Sequence, residues 1–247
     1  MRNYEREKTE RVKFIQNVIT SAKVNGVVFA NSGGKDAALV GILCKMACDN
    51  TIGLSLPCGV KRNYGSDLSD AELLSQQFGI TNKTISLTQI RDGLTQAIDS
   101  AATVTETAIA YLAPRLRMVT LYAIANSENR LVAGTSNLSE IYTGYSTKWG
   151  DGAYDFNPIA DLTATEVLEF LRFFGAPGSI IEKAPSAGLF EGQTDEAEMG
   201  ITYASLDKFL LTGQTSKHDE AIINRLHSAS EHKRKPPIFY GTISKLH

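Results

Sequence analysis

Several features that mark whole classes of protein are scarce or missing in this sequence. Its three cysteines, Cys44, Cys48 and Cys58, are odd in number and lack the CxxC pairs of zinc or redox sites. Basic residues do not dominate, since 25 Lys and Arg stand against 27 Asp and Glu, which argues against a nucleic-acid-binding role. No apolar run reaches the roughly 18 residues of a membrane span, and the charged N-terminus lacks the apolar centre of a signal peptide. We therefore expect a cytoplasmic protein without nucleic-acid or membrane partners.

The composition is that of a folded, globular protein. Of the 247 residues, 43% belong to the hydrophobic set and 21% are charged. These proportions exclude disordered, collagen-like and coiled-coil chains. A chain of this length can bury most of its unfolded surface in one domain. We therefore expect a single domain over residues 1–247.

Short apolar runs alternate with segments of helical period. Strands are predicted at 26–30, 51–56, 83–87 and 131–133. Helices are predicted at 9–23, 36–47, 69–78, 91–101, 107–125, 163–174, 202–211 and 217–228, and a functional loop at 184–200. Two S/T-x-x-E patterns, Ser69 with Glu72 and Thr163 with Glu166, predict capping boxes. The alternation predicts an α/β fold of the Rossmann-like, doubly wound type, with a mostly parallel sheet and helices on both faces.

The first candidate site is the SGGKD turn at 32–36, which follows the first predicted strand. Its glycine amides and the N-terminus of the next helix can bind an anion. Asp36 would repel a phosphate unless a divalent cation lay between them, which points to Mg²⁺. The turn matches neither GxxxxGK[ST] nor GxGxxG. A plain strand-to-helix turn, with an acidic residue at the positive end of the helix, fits the spacing equally well.

Longer segments give a more specific resemblance. The SGGKD turn resembles the SGGxDS loop of the ATP pyrophosphatases, which cleave ATP to AMP and pyrophosphate. The segment GTSNLSEIYTGYSTKWGDGAYDFNPIADLT at 134–163 resembles the ammonia-dependent NAD synthetases far more selectively. RLRM at 115–118, APSAGLFEGQTDEAEMGITY at 184–203 and EHK at 231–233 match the same family. The resemblance covers nearly the whole chain in one order.

The resemblance implies an activity and a set of site residues. The activity is amidation of nicotinic acid adenine dinucleotide (deamido-NAD) with ammonia and ATP, through an acyl-adenylate, in a homodimer with Mg²⁺ as cofactor. Asp36 and Glu140 would hold Mg²⁺. The residues that the resemblance marks as catalytic are Asp36, Glu140, Lys148 and Asp151. Those assigned to ATP are Ala30, Asn31, Ser32, Gly33, Gly34, Lys35, Asp36, Ala37, Thr135 and Ser186. Those assigned to deamido-NAD are Arg115, Lys148, Asp155, His232 and Lys233.

Three departures from the family pattern fall on the ATP side. Ala37 replaces the serine that closes SGGxDS, Ala30 and Asn31 replace a Gly-Leu pair, and Ala164 replaces a lysine that would contact ATP in many relatives. Lys35 is a candidate to replace part of the lost positive charge, although the sequence does not set its direction. We expect Ala37→Ser to improve ATP use more reliably than Ala164→Lys.

Two alternative functions stay open at this point. The chain could be another adenylating amide ligase of the same superfamily, acting on a different carboxylic acid. It could also be a non-catalytic nucleotide-binding relative whose ATP site is weakened by the alanines at 37 and 164.

Overall fold

One parallel sheet organises the protein. The computed structural model describes residues 2–190, 192–238 and 240. Within them, four strands pair in parallel: β1 (Gly26–Ala30), β2 (Thr51–Ser55), β3 (Thr81–Thr84) and β4 (Arg130–Ala133). Their order in the sheet is β3-β2-β1-β4. From β1 the chain adds β2 and then β3 on one side, and β4 then joins the other side of β1. The strand order therefore reverses between β1 and β4. Ligands of such sheets bind at this switch point.

Helices connect the strands and continue after β4. In the described part of the chain they are α1 (Tyr4–Ala22), α2 (Lys35–Ala47), α3 (Lys61–Tyr64), α4 (Ser66–Phe78), α5 (Thr88–Asp99), α6 (Glu106–Glu128), α7 (Leu138–Thr143), α8 (Ala164–Phe174), α9 (Gly178–Ile181), α10 (Asp195–Met199), α11 (Tyr203–Thr212), α12 (Lys217–Ala229) and α13 (Glu231–Arg234).

Apolar side chains cover both faces of the sheet. Successive strand residues point to opposite faces, so Val27 and Phe29 join one cluster and Val28 joins the other. The first cluster includes buried residues of α1, α2, α4 and α8, and the second includes buried residues of α6. A third cluster links α8, α10, α11 and α12 through residues that include Ala164 and Tyr203. The predicted doubly wound α/β fold is confirmed.

The third predicted strand is wrong in its position. We expected 83–87, but β3 is Thr81–Thr84, an edge strand whose residues are largely exposed. Ile85 and Leu87 follow it, and their amides bond to the carbonyls of Ser55 and Pro57 at 3.0 and 2.9 Å. The apolar pattern therefore predicted the position of the buried residues after the strand. At the edge of a sheet, the residues that pair as a strand need not be the ones that are buried.

One predicted capping box is confirmed and the other is wrong. Thr163 and Glu166 each accept a hydrogen bond from the other's backbone amide, at 3.3 and 3.0 Å, at the start of α8. Ser69 lies inside α4, which begins three residues earlier, after Gly65, without a side-chain cap. The helical backbone before Ser69 removes the free amide that a cap needs. A box that the sequence analysis did not name joins Asn137 to Glu140 in α7.

Among the described helices, α6 is long enough to cross a membrane and contains an 18-residue window with a mean hydropathy of 1.2. Its apolar residues do not form one continuous run, because Arg115 and Arg117 interrupt them. The helix packs against β1 and β4 and contributes Ala113, Leu121 and Ala125 to the core. A core helix that covers one face of an α/β sheet has the same composition.

Candidate active site

A cavity of about 350 Å³ lies beyond the C-terminal ends of β1 and β4. Its walls come from the loops after these strands, from α6 and from the segment 183–195. The predicted site residues that line it are Ala30, Asn31, Ser32, Gly34, Lys35, Asp36, Ala37, Thr135, Glu140, Asp151, Ser186 and Lys233. Those that do not line it are Gly33, Arg115, Lys148, Asp155 and His232. The structure thus brings the predicted ATP and metal residues together and leaves most of the predicted dinucleotide residues outside.

The glycine turn sets the direction of the α2 N-terminus. Gly33 has a φ of 69°, and a Cβ built on it would lie 2.1 Å from the Asp67 carbonyl oxygen. Glycine alone adopts this backbone beside α4 without a clash. Gly34 caps α2, and its amide donates to Oγ of Ser32 at 3.3 Å. The first amides of α2 have no carbonyl partner within the helix, so this end of the cavity attracts an anion such as phosphate.

Two carboxylates meet in the cavity from the two sides of the switch point. Asp36 lies in the first turn of α2 and Glu140 lies in α7. Asn137 links them, since its Nδ2 donates to Oδ1 of Asp36 at 2.9 Å and its backbone amide donates to Oε2 of Glu140 at 3.1 Å. Burial and the nearby charge of Asp36 raise the pKa of Glu140 well above its usual range. Such a pair favours a cation beside it.

The ammonium group of Lys35 lies at the same place. Its Nζ donates to Oδ2 of Asp36 at 2.8 Å and lies 5.2 Å from the centre of the Tyr203 ring. The Lys35 side chain is only 7% exposed. Burial alone would lower the pKa of Lys35, but the carboxylates of Asp36, Glu140 and Asp195 outweigh burial and raise it. Lys35 is a charged group inside the cavity rather than a solvent-facing lysine.

Arg117 places another cation on the α6 wall of the cavity. Its Nε donates to the Leu56 carbonyl and its Nη2 to Oδ1 of Asn63, both at 3.0 Å. Burial lowers the pKa of Arg117, and within the described residues it forms no ion pair with a carboxylate. The carboxylates of Asp151 and Asp67 lie near enough to act on Arg117 but do not pair with it, so this position suits an anionic group of a ligand.

Arg117 was not among the predicted site residues, although it lies in the same RLRM motif as Arg115 and is the arginine of that motif that lines the cavity. The RLRM motif drew attention to Arg115, two residues earlier. Two positions along a helix are about 200° apart around its axis, so Arg115 faces solvent where Arg117 faces the cavity. The signal for Arg117 was present in the same motif, but only the packing of α6 distinguishes the two arginines.

Lys183 is a further buried cation that the sequence analysis did not single out. Its Nζ lies 2.8 Å from Oδ1 of Asp67 and 2.6 Å from Oδ2 of Asp70, both in α4. It also donates to the Gly33 carbonyl at 3.4 Å. Burial acts to raise the pKa of Asp67, but hydrogen bonds from Lys183 and two other side chains hold it below its usual range. Lys183 therefore ties the segment after α9 to the glycine turn.

Lys233 is the predicted dinucleotide residue that reaches the cavity. Its Nζ donates to the carbonyls of Gly144 and Ser146 at 2.8 and 2.6 Å. Lys148 lies outside the cavity, and its Nζ donates to the His232 carbonyl at 2.7 Å. Together these contacts hold α13 against the turn that follows α7.

Asp155 and Arg115 make contacts away from the cavity. Oδ2 of Asp155 accepts from the Val132 amide at 2.7 Å, and Oδ1 accepts from the Tyr122 hydroxyl at 3.1 Å. These bonds fasten the chain after the TKWGDG turn to β4. Arg115 lies on the exposed side of α6, where it donates to the Tyr111 carbonyl at 3.3 Å. The binding roles of Asp155 and Arg115 stay predictions.

Asp151 and Ser186 are held by local hydrogen bonds at the cavity wall. Oδ1 of Asp151 accepts from the Thr147 amide at 2.9 Å, and burial raises the pKa of Asp151. Oγ of Ser186 accepts from the Gly188 amide at 3.2 Å. Both side chains have a fixed direction before a ligand arrives, which suits a positioning role.

The structure places Ala37 and Ala164, the two alanines that depart from the family pattern, in different surroundings. Ala37 lines the cavity, whereas Ala164 does not; it is 2% exposed and shares a buried cluster with Tyr203, over whose ring Lys35 lies. We expect Ala37→Ser to lower the apparent ATP constant by up to about tenfold, since a hydroxyl can bond a phosphate. We expect Ala164→Lys to lower the free energy of unfolding by about 2–4 kcal/mol, because it buries an unpaired ammonium among apolar side chains.

ATP titrations and urea denaturation of both variants check this expectation. Ala37→Ser serves as the stability control, because its hydroxyl faces the cavity. An Ala164→Lys protein as stable as the parent, with a lower ATP constant, would contradict the assignment of Ala164 to the core.

Comparisons with known proteins agree over the whole chain. The family model described as NAD synthase matches residues 7–237. An NH(3)-dependent NAD(+) synthetase from Carboxydothermus hydrogenoformans is 41% identical over 235 residues, which cover 94% of this chain and 96% of that protein. An NMN synthetase structure from Francisella tularensis superposes with a TM-score of 0.92 and 34% identity, covering 98% of this chain and 100% of that one. An NH3-dependent NAD synthetase structure from Campylobacter jejuni gives 0.78 and 28%, with 98% and 100% coverage.

A glycine turn at a helix N-terminus, beside a carboxylate pair at the switch point of a parallel sheet, is typical of a nucleotide-binding α/β enzyme. Within that class, the motifs at 134–163 and 184–203 and the full-length similarity are those of one family. The chain belongs to the NAD synthase family.

Proposed function

We propose that this chain amidates nicotinic acid adenine dinucleotide with ammonia at the expense of ATP, which yields NAD, AMP and pyrophosphate. The observation that carries the proposal is the meeting of the α2 N-terminus, the carboxylate pair and Arg117 in one cavity. The free amides of α2 suit the phosphates of ATP, and the unpaired guanidinium suits an anionic group of the second substrate. Similarity to NH(3)-dependent NAD(+) synthetases favours the dinucleotide acid as that substrate.

The reaction proceeds through an acyl-adenylate in this proposal. A carboxylate oxygen of the dinucleotide acid attacks the α-phosphorus of ATP, the bond to the bridging oxygen breaks, and pyrophosphate leaves. Ammonia then attacks the acyl carbon, the bond from that carbon to the AMP oxygen breaks, and the extra proton on nitrogen passes to water. The first step brings two anions together, and the second brings neutral ammonia to the acyl-adenylate. Catalysis is therefore mainly the positioning of the reactants and the stabilisation of charge. The α2 amides, Arg117 and Lys233 supply positive charge around the reacting groups.

We infer that Asp36 and Glu140 hold Mg²⁺ together with phosphate oxygens of ATP. The residues fit this ion, because two partly buried carboxylates joined by Asn137 offer the hard oxygen ligands that it prefers. The described residues contain no group of three or more His, Cys, Asp or Glu side chains that could hold a metal ion. A two-carboxylate site leaves coordination positions for phosphate oxygens. When bound, the ion would offset the charge on the leaving pyrophosphate.

We also propose that the protein is a cytoplasmic homodimer. Exposed apolar side chains on α5 and α6, namely Ile90, Leu94, Tyr111 and Val119, support an interface there. Arg115 lies on the exposed side of α6, so its predicted contact with the dinucleotide would be made near that interface. The three cysteines are free, as expected in a reducing compartment.

A second candidate substrate is the corresponding mononucleotide acid, whose amidation gives NMN. The observation that favours it is the superposition on an NMN synthetase with a TM-score of 0.92, against 0.78 for an NAD synthetase. The four predicted dinucleotide residues that lie outside the cavity add support, since a smaller substrate needs fewer distant contacts.

AMP release by the purified chain tests both candidates. We expect AMP and amide in equal amounts with Mg-ATP, ammonium and the dinucleotide acid, and a lower kcat/KM with the mononucleotide acid. Glutamine should be at least about 100-fold poorer than ammonium, because its hydrolysis needs an activated cysteine and no cysteine of the described residues lines the cavity. A higher kcat/KM for the mononucleotide acid would establish the second candidate, and no AMP with either acid would refute both.

A further inference from the structure

The ammonium group of Lys35 contacts a carboxylate oxygen of Asp36, one of the two residues inferred to hold the metal ion. Its Nζ lies 2.8 Å from Oδ2 of Asp36, with Glu140 and Asp195 as the next carboxylates. The other oxygen of Asp36, Oδ1, already accepts from Nδ2 of Asn137 at 2.9 Å. Each oxygen of Asp36 therefore accepts a hydrogen bond from a side chain of the protein itself.

The surroundings hold the ammonium group there. Lys35 is 7% exposed, so little water competes for its protons. Its Nζ also lies 5.2 Å from the centre of the Tyr203 ring, and the Tyr203 hydroxyl is bonded to Oδ2 of Asp195 at 3.0 Å. The ring and the second carboxylate thus fix one wall of the pocket that holds the lysine. Lys35 itself enters from the turn that would cradle ATP.

We propose that Lys35 is a tethered counter-ion which occupies the divalent-cation position of the nucleotide-free protein, so that the metal binds only when nucleotide phosphates draw the ammonium away from Asp36. This inference rests on the proposed assignment of Mg²⁺ to Asp36 and Glu140. A divalent ion and an ammonium group cannot share one carboxylate oxygen at contact distance, because their repulsion is several kcal/mol even at an effective dielectric constant near 20. Lys35 is therefore a positioning residue that couples metal binding to nucleotide binding.

Two consequences follow from this arrangement. The nucleotide-free protein keeps its crowded carboxylates compensated without a metal ion. Metal and nucleotide also bind with positive coupling, and the coupling is the same whichever of them binds first. Removal of the Lys35 charge should therefore raise metal affinity only in the absence of nucleotide.

Electron paramagnetic resonance of Mn²⁺ tests the proposal without measuring turnover. The parent protein and the Lys35→Met and Lys35→Gln variants are titrated with Mn²⁺, with and without α,β-methylene-ATP. Two Lys35 variants guard against a folding defect in either one. Lys45→Met is the control on the same helix, because Lys45 also pairs with an aspartate, Asp49 at 3.3 Å, but at the far end of α2 and outside the cavity.

We expect both Lys35 variants to bind Mn²⁺ at least about tenfold more tightly than the parent when nucleotide is absent. We expect the ATP analogue to tighten Mn²⁺ binding by at least about tenfold more in the parent than in the Lys35 variants, where only the contact of phosphate with the metal couples the two ligands. Lys45→Met should behave as the parent does. Equal nucleotide-free Mn²⁺ affinities in the parent and the Lys35 variants would overturn the proposal. The amidation reaction is tested separately by AMP release, so a failure of the Lys35 proposal can be told apart from a failure of the proposed function.

Discussion

Asp36→Asn and Glu140→Gln should each lower the rate of AMP release by about 10²–10³-fold at ordinary Mg²⁺ concentrations. Each substitution removes one of the two carboxylates that we assign to the ion, and with it much of the charge stabilisation of the leaving pyrophosphate. The substituted amides keep the shape of the side chains, so the loss reflects charge rather than packing.

The same two variants should differ in stability. Asp36→Asn leaves the buried Lys35 without its carboxylate partner at 2.8 Å, so we expect the free energy of unfolding to fall by about 2–3 kcal/mol. Glu140 has a raised pKa in the folded protein, so its ionisation opposes folding once the pH exceeds the unfolded value near 4.5. Glu140→Gln should therefore be more stable than the parent at pH 7–8, and the difference should vanish below about pH 4.

Glu166→Gln is the matched control for the Glu140 variant. Glu166 closes the capping box of α8 with the same geometry as Glu140 in α7, but it lies outside the cavity. We expect its AMP release to equal that of the parent. Urea denaturation and AMP release of the three variants at pH 4 and pH 7.5 decide the matter. Full activity in Asp36→Asn or Glu140→Gln would refute the two-carboxylate assignment.

Gly33→Ala should lower the free energy of unfolding by about 3 kcal/mol or more and abolish nucleotide binding. The substitution places a Cβ 2.1 Å from the Asp67 carbonyl oxygen at a backbone φ of 69°. A left-handed backbone alone costs a non-glycine residue roughly 1–2 kcal/mol. The turn must move away from α4 to relieve the clash, which also moves the α2 N-terminus.

Gly34→Ala is the control in the same turn. Its Cβ would meet Oγ of Ser32 at 3.3 Å, a side-chain atom that can rotate away, and its backbone is extended. We expect a loss of stability below about 1 kcal/mol, which urea denaturation can resolve. Equal losses for the two alanine variants would show that the close approach of Gly33 to Asp67 does not govern the turn.

Local signals made part of this site predictable. The apolar run before SGGKD and the helical segment after it predict the strand, turn and helix around 26–47, because each element is specified by its own residues. The distinct spacing of the TKWGDG turn and of the PSAGL segment likewise carries the family resemblance. The part of the cavity wall that these segments form was therefore predictable from the sequence alone.

Long-range packing explains what the sequence analysis missed. The inward direction of Lys35 depends on Tyr203 and Asp195, which lie far along the chain. The choice between Arg115 and Arg117 depends on which side of α6 meets the sheet. The burial of Ala164 depends on α11 and α12. Residues close to it in the sequence therefore could not show whether position 164 contacts ATP, as the family pattern implied.

The bond from Asn137 to Asp36 joins residues 101 positions apart in the chain. It depends on the pairing of β4 with β1, which requires closure of a long loop. Contacts of this sequence separation form slowly compared with helices and hairpins. During synthesis, Asp36 is translated 101 residues before Asn137. The contact between the two sides of the cavity is thus a late event in folding, because it requires β4 to have joined the sheet.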